Sequence, residues 1–134
     1  MVDEVLKAYP NDVKHVFKQF PLVQIHPQAM NAAKASVAAH KQGKFKEMHD
    51  ILFKNSRKLQ PEDIKKYAGE IGLNMAKFEK DMESPEIAKQ IDDDMALAQT
   101  VGVRGTPTIF VGGKRLMNRS MDGFKAMIDP AVKK

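Results

Sequence analysis

Four histidines, seventeen carboxylates and nine methionines are the side chains of this 134-residue sequence that invite a chemical reading. His15, His26, His40 and His49 could bind a metal or exchange protons. No two of them are four residues apart, as ligands on one helix face would be, so they read as hydrogen-bonded scaffold. Glu47, Asp50, Asp81 and the run Asp92–Asp94 could form paired carboxylates or a cation site. The run lacks the glycine and the alternating oxygen ligands of a calcium loop, and it reads as a solvated helix face. Gly102, Gly105, Gly112 and Gly113 are not followed by Lys-Ser or Lys-Thr, so they are caps and turns rather than a phosphate cradle. Met48, Met82, Met95 and Met127 fall on apolar stripes and serve packing. The sequence contains no cysteine. This excludes disulfides, thiolate catalysis and cysteine-bound zinc for these residues. No catalytic residue, metal or cofactor is expected.

One motif remains. In GVRGTPTIFVGGK, Gly102–Lys114, a Thr106-Pro107 pair opens a β-branched, aromatic run and a Gly-Gly pair closes it. Proline donates nothing to a strand ladder, so it sits awkwardly at the head of a strand unless it has a specific purpose there.

The elements that must position this motif follow from pattern. Met1–Ala8 predicts a short helix ended by Tyr9-Pro10-Asn11. The β-branched and aromatic run Val13–Phe20 predicts a strand, broken by Pro21. Pro27–Gln42 is an alanine-rich helix with Met30, Ala33 and Val37 on one side, and small residues there permit close approach of a neighbour. Gly43 marks its end. Phe45, Met48, Ile51 and Leu52 form the apolar face of the next helix. Pro61-Glu62-Asp63 opens another, with proline in the first turn and acids near the positive end of the dipole. Gly69 and Gly72 close it. Asn74 caps a short helix carrying Met75, Phe78 and Met82. Ser84-Pro85-Glu86 starts a helix running towards Val101, with Ile87, Ile91, Met95 and Ala98 in one stripe and Asp92–Asp94 mostly outward. Strands Thr108–Val111 and Lys114–Met117 flank a two-residue hairpin turn, Gly112-Gly113. Ser120 caps a last helix holding Phe124, Met127 and Ile128, which Asp129-Pro130 stops.

Size and composition suit one domain: 43% of residues are hydrophobic and 29% charged. Net charge is +5. The lysines lie among acidic residues, with no dense basic block interleaved with aromatics, so nucleic acid is not an expected partner. No apolar run approaches the roughly 18 residues that span a bilayer, and no membrane partner is expected. No basic start followed by an apolar stretch marks a secretory signal.

In order and spacing, VFKQFPL, HPQAMNAAKA, GKFKEMHDILF, QPEDIKKYAGEIGLNMAKFEKDMES, GVRGTPTIFVGGK and the helix around Phe124 together resemble the DsbA-like branch of the thioredoxin fold, the bacterial thiol–disulfide oxidoreductases. The resemblance implies an α/β, thioredoxin-like fold that is helix-rich with about three strands. It implies one domain over residues 1–134, with a helical insertion at about 27–101 and a hairpin and terminal helix at 103–129. It also implies a cis Thr106-Pro107 bond and a substrate-binding role for both residues, with Thr106 offering its backbone to an extended protein substrate. Family chemistry is disulfide oxidation or isomerisation, placed outside the cytoplasm.

The departure from the family is large. Its first central strand and Cys-X-X-Cys segment have no counterpart, and MVDEVLKAYP resembles the latter part of the helix that follows them. The domain is therefore expected to be incomplete and without thiol–disulfide exchange, which needs an attacking thiolate and a resolving thiol. In the family sheet the absent strand lies between those matching Val13–Phe20 and Thr108–Val111. Its loss would leave a gap two strand spacings wide, each spacing about 4.8 Å. A homo-oligomer through exposed strand edges is one way to fill it; a peptide-binding or self-assembling module without catalysis is the alternative function.

Overall fold

The structure, a computed structural model, describes residues 2–21 and 28–132. These form two compact units, Gln19–Arg104 and a second built from Met1–Lys18 with Gly105–Lys134.

The larger unit is helical. Its elements are α2 (Ala29–Lys41), α3 (Phe45–Lys54), α4 (Pro61–Glu70), α5 (Met75–Met82) and α6 (Pro85–Thr100). Helix α2 is the hub and packs against the other four. Its buried Ala33, Ala35, Ala38 and Ala39 explain how: a methyl-sized surface lets several helices approach one axis. Around it close Met48, Ile64, Phe78, Ile87 and Ile91, all fully buried. The expected start of α2 at Pro27 lies outside the described residues, as does His26.

Local signals fix the ends of these helices. Gly43 follows α2 with φ +73°, a conformation open to glycine. Asn74 accepts a 3.1 Å hydrogen bond from the Lys77 amide at the start of α5. Ser84 accepts one of 3.2 Å from the Glu86 amide ahead of α6. At α4, the Asp63 carboxylate accepts from the Gln60 amide at 3.2 Å. A side-chain amide also ties two helix ends together. Gln42 Oε1 accepts from the Asn74 backbone at 2.9 Å, and Gln42 Nε2 donates to the Asn74 carbonyl at 3.3 Å.

The smaller unit holds α1 (Val2–Ala8), the strands β1 (Phe110–Val111) and β2 (Lys114–Arg115), and α7 (Met121–Val132). Its core is Val5, Leu116, Phe124 and Ile128, with Ile109 and Val111 packed against them. Tyr9, just past α1, donates its hydroxyl to the Asp129 carboxylate on α7. Gly123 is required at the start of α7, because a Cβ there would meet the Asn118 carbonyl oxygen at 2.0 Å.

Two expectations need correction. Val13–Phe20 takes no strand structure; two strands, not three, are present among the described residues. β-propensity describes fitness for a sheet surface, and without a neighbouring strand it does not create one. Val16 is 60% exposed in this segment. Second, α7 continues through Asp129-Pro130 to Val132. A proline so near a helix end removes one ladder bond while little helix remains to break. The aspartate run faces mostly outward, with Asp94 the exception. Asp94 is half-buried, and its carboxylate accepts a 2.9 Å hydrogen bond from the Gln19 amide.

Candidate functional site

The hairpin is set by its turn. Gly112 and Gly113 have φ of +55° and +84°, the doubly positive pair that matches the twist of two antiparallel strands. Phe110 stands opposite Arg115 and Val111 opposite Lys114. The Leu116 amide donates to the Ile109 carbonyl at 2.8 Å. Ile109 and Val111 thus aim their main-chain groups at β2. By the period of two, Thr108 and Phe110 aim theirs at the outer edge, where no strand is paired among the described residues.

Thr106 and Pro107 precede this edge, both exposed, and the peptide bond between them is cis. The Thr108 hydroxyl donates to the Gly105 carbonyl at 2.7 Å and closes the loop around them. Both residues singled out in the sequence are therefore neighbours in a short, internally bonded loop at the head of β1.

The hairpin's two faces differ. Ile109, Val111 and Leu116 turn to the core. Side chains directly opposite across an antiparallel pair share a face, so Phe110 and Arg115 stand together on the other side. Phe110 is 41% exposed and Met117, two residues beyond Arg115, is 85% exposed. From Met95 to Met121 the sequence has no Asp or Glu, while Lys114, Arg115 and Arg119 follow one another on and after the hairpin. Sequence reading passed over this cluster because it weighed the lysines across the whole chain. The acid-free run was the signal that could have found it.

The other candidates separate from this loop. His15 is exposed, and its segment is not a strand. His40 and His49 join a row of rings on α2 and α3: His40–Phe45 at 6.2 Å, Phe45–His49 at 5.5 Å and His49–Phe53 at 4.5 Å between centroids. Desolvation pushes the Asp50 carboxyl up, but hydrogen bonds and charge from Lys46 and His49 outweigh it and hold it below its ordinary value. Among the described residues no group of three or more His, Asp or Glu side chains could hold a metal ion. A cleft of about 330 Å³ between α3 and α4 is lined by Lys54, Lys58, Lys66, Asp63, Tyr67 and Glu70, side chains of mixed charge. Met48 is fully buried, and Met82, Met95 and Met127 pack against the two cores.

Comparison with known proteins places this geometry. The crystal structure of a thioredoxin-like oxidoreductase from Silicibacter pomeroyi DSS-3 matches 99% of this chain and 76% of its own, with a TM-score of 0.85 and 31% identity. The chain is 39% identical over 114 residues to the Na(+)/H(+) antiporter NhaA 3 of Salinispora tropica, covering 85% of this chain and 17% of the antiporter. It is 37% identical over 116 residues to the Na(+)/H(+) antiporter NhaA 1 of Mycobacterium sp. (strain KMS), covering 85% of this chain and 19% of the antiporter. The chain thus spans less than a fifth of the length of these relatives. Among the described residues no helix is long and apolar enough to cross a membrane. The DSBA-like thioredoxin domain matches residues 2–129, and the chain belongs to that family, with a thioredoxin-like, helix-rich fold.

Proposed function

We propose that these 134 residues form the cis-proline and helical part of a DsbA-like domain, whose work is to hold an extended segment of a protein substrate against Thr106 and Pro107. The observation that carries this reading is the exposed loop at Thr106–Pro107, continuous with an outer edge of β1 where Thr108 and Phe110 present main-chain groups. An extended peptide laid along such an edge gains main-chain hydrogen bonds whatever its sequence, which suits a binder of unfolded chains. The residues contain no thiol, so disulfide oxidation or isomerisation at this wall requires cysteines supplied from outside them. The antiporters carry a relative of this stretch as a small share of their length, which supports reading it as a module set into different chains. Placement outside the cytoplasm follows the family's habit and is part of the proposal.

Titration of a fluorescent, extended, cysteine-free peptide tests the reading. Thr106→Pro removes the one amide donor at that position, and Thr106→Ala keeps it. We expect the proline variant to bind about tenfold more weakly, the effect of one net hydrogen bond, and the alanine variant to stay within about twofold of the parent. Equal binding by both variants overturns it. A second reading, edge-to-edge pairing of two copies through β1, rests on the same open edge. It requires a dimer by sedimentation, and a strict monomer at high concentration removes it.

A further inference from the structure

Charge is divided unequally between the two units. Gln19–Arg104 carries thirteen Lys and Arg against twelve Asp and Glu. The unit holding the hairpin carries nine against five, so most of the excess of +5 resides in the smaller part of the chain. In the helical unit five of the thirteen cations, Lys41, Lys46, Lys65, Lys77 and Lys89, each lie within 4.0 Å of a carboxylate. Among the described residues Lys114, Arg115 and Arg119 have no such partner, and all three are exposed. The acids of the smaller unit are Asp3 and Glu4 on α1, Asp12 in the turn after it, and Asp122 and Asp129 on α7, none of them on the hairpin. Asp129 is already engaged by Tyr9.

The outer face of the hairpin thus reads Phe110, Arg115, Met117: a cation between two exposed apolar side chains, with Lys114 and Arg119 beside it in sequence. Arg115 on this face, with Lys114 and Arg119 near it in sequence, has no carboxylate within 4.0 Å among the described residues, and such cations attract anions and repel cations over about a Debye length, about 10 Å at 0.1 M salt. Apolar neighbours add contact area and leave no counter-charge. The occupant that complements this face is an extended segment carrying carboxylates flanked by apolar residues.

We infer that the hairpin makes the binding site selective for acidic, apolar-containing peptide segments, with Lys114, Arg115 and Arg119 as its specificity determinants. This deepens the peptide-binding reading and rests on it. The selectivity acts first on encounter, because complementary charge raises association rates more than it strengthens the final complex. A lysine-rich segment of the same apolar content is turned away before the main chain can pair.

The test uses three fluorescent peptides of equal length and equal apolar content, differing only in carrying Glu, Gln or Lys at the same positions. They are titrated into the 134-residue protein, with a single-stranded oligonucleotide of matching charge as the competing polyanion. At low salt we expect the Glu peptide to bind about five- to tenfold tighter than its Gln twin, and the Lys peptide weakest. The ratio falls toward one near about 0.5 M salt. Replacing Lys114, Arg115 and Arg119 together by Gln erases the ratio and leaves binding of the Gln peptide as it was. These side chains are exposed, and circular dichroism checks that the helices persist. If all three peptides bind equally, the charge selectivity is overturned while the peptide-binding reading stands. If none binds, both fall. If the oligonucleotide binds more tightly than the Glu peptide, the face is a nucleic-acid surface and the inference is wrong.

Discussion

The helical unit and the hairpin unit solve opposite problems. The helical unit buries Met48, Ile64, Phe78, Ile87 and Ile91 around an alanine-faced axis and pairs five of its cations with its own carboxylates. The hairpin unit has four buried apolar residues and an open strand edge, and Lys114, Arg115 and Arg119 on and after its hairpin have no carboxylate within 4.0 Å among the described residues. A small core with unsatisfied periphery is poor design for stability and good design for capture, since each unused group is available to something else. The difference teaches where to look for function in this fold: in the unit whose groups are left over.

Three changes would break or sharpen that contrast. The largest effect belongs to Phe78→Ala, at the centre of the helical core, where the side chain is 1% exposed. Truncation should cost about 3–5 kcal/mol, a large share of an ordinary domain's stability, read as a lowered urea midpoint in circular dichroism. A loss below about 1 kcal/mol would mean that the helical core is far looser than its burial implies. Next comes Gly123→Ala in the hairpin unit, where the new Cβ would meet the Asn118 carbonyl oxygen at 2.0 Å. Backbone must shift, and about 1–3 kcal/mol should be lost, although alanine is the better helix former. A gain in melting temperature would show that Gly123 does not pack this closely against Asn118.

The smallest effect is one of pH. Tyr9 donates its hydroxyl to Asp129, and that hydrogen bond, with some desolvation and the carboxylate's charge, pushes its pKa from 10.0 to about 12. The neutral phenol is the form favoured in the folded state. Its contribution is therefore fully present below pH 10 and is lost as pH rises through about 12. Stability of the parent should fall more steeply between pH 10 and 12 than that of Tyr9→Phe, measured by denaturant titration at each pH. Parallel curves would remove the Tyr9–Asp129 bond as a contributor.

Much of the helical unit was legible in the sequence because its signals are local. Ser84-Pro85, Pro61-Glu62-Asp63 and Asn74 declare helix starts through groups within three residues of one another, and Gly43 and Gly112-Gly113 declare turns through φ. The misses depend on partners far along the chain. Val13–Phe20 has the composition of a strand, but pairing requires a neighbour that the described residues do not provide. Asp94 looks like any exposed acid in a DDD run until the Gln19 amide is seen 75 positions away. At the candidate site, Thr106-Pro107 was found through family likeness, since a Thr-Pro pair alone fits many turns. The cations at 114, 115 and 119 went unnoticed because their meaning lies in what is missing around them.

The row Phe45, His49, Phe53 has a practical corollary. An imidazole between two tilted phenyl rings, at 5.5 and 4.5 Å between centroids, sits in their ring currents, which move its carbon-bound proton lines away from those of an exposed histidine such as His15. In a proton spectrum His49 becomes a natural marker, a resolved line that reports whether α3 keeps its register. The helical unit thus carries its own probe, and the packing of α3 can be followed without attaching a label.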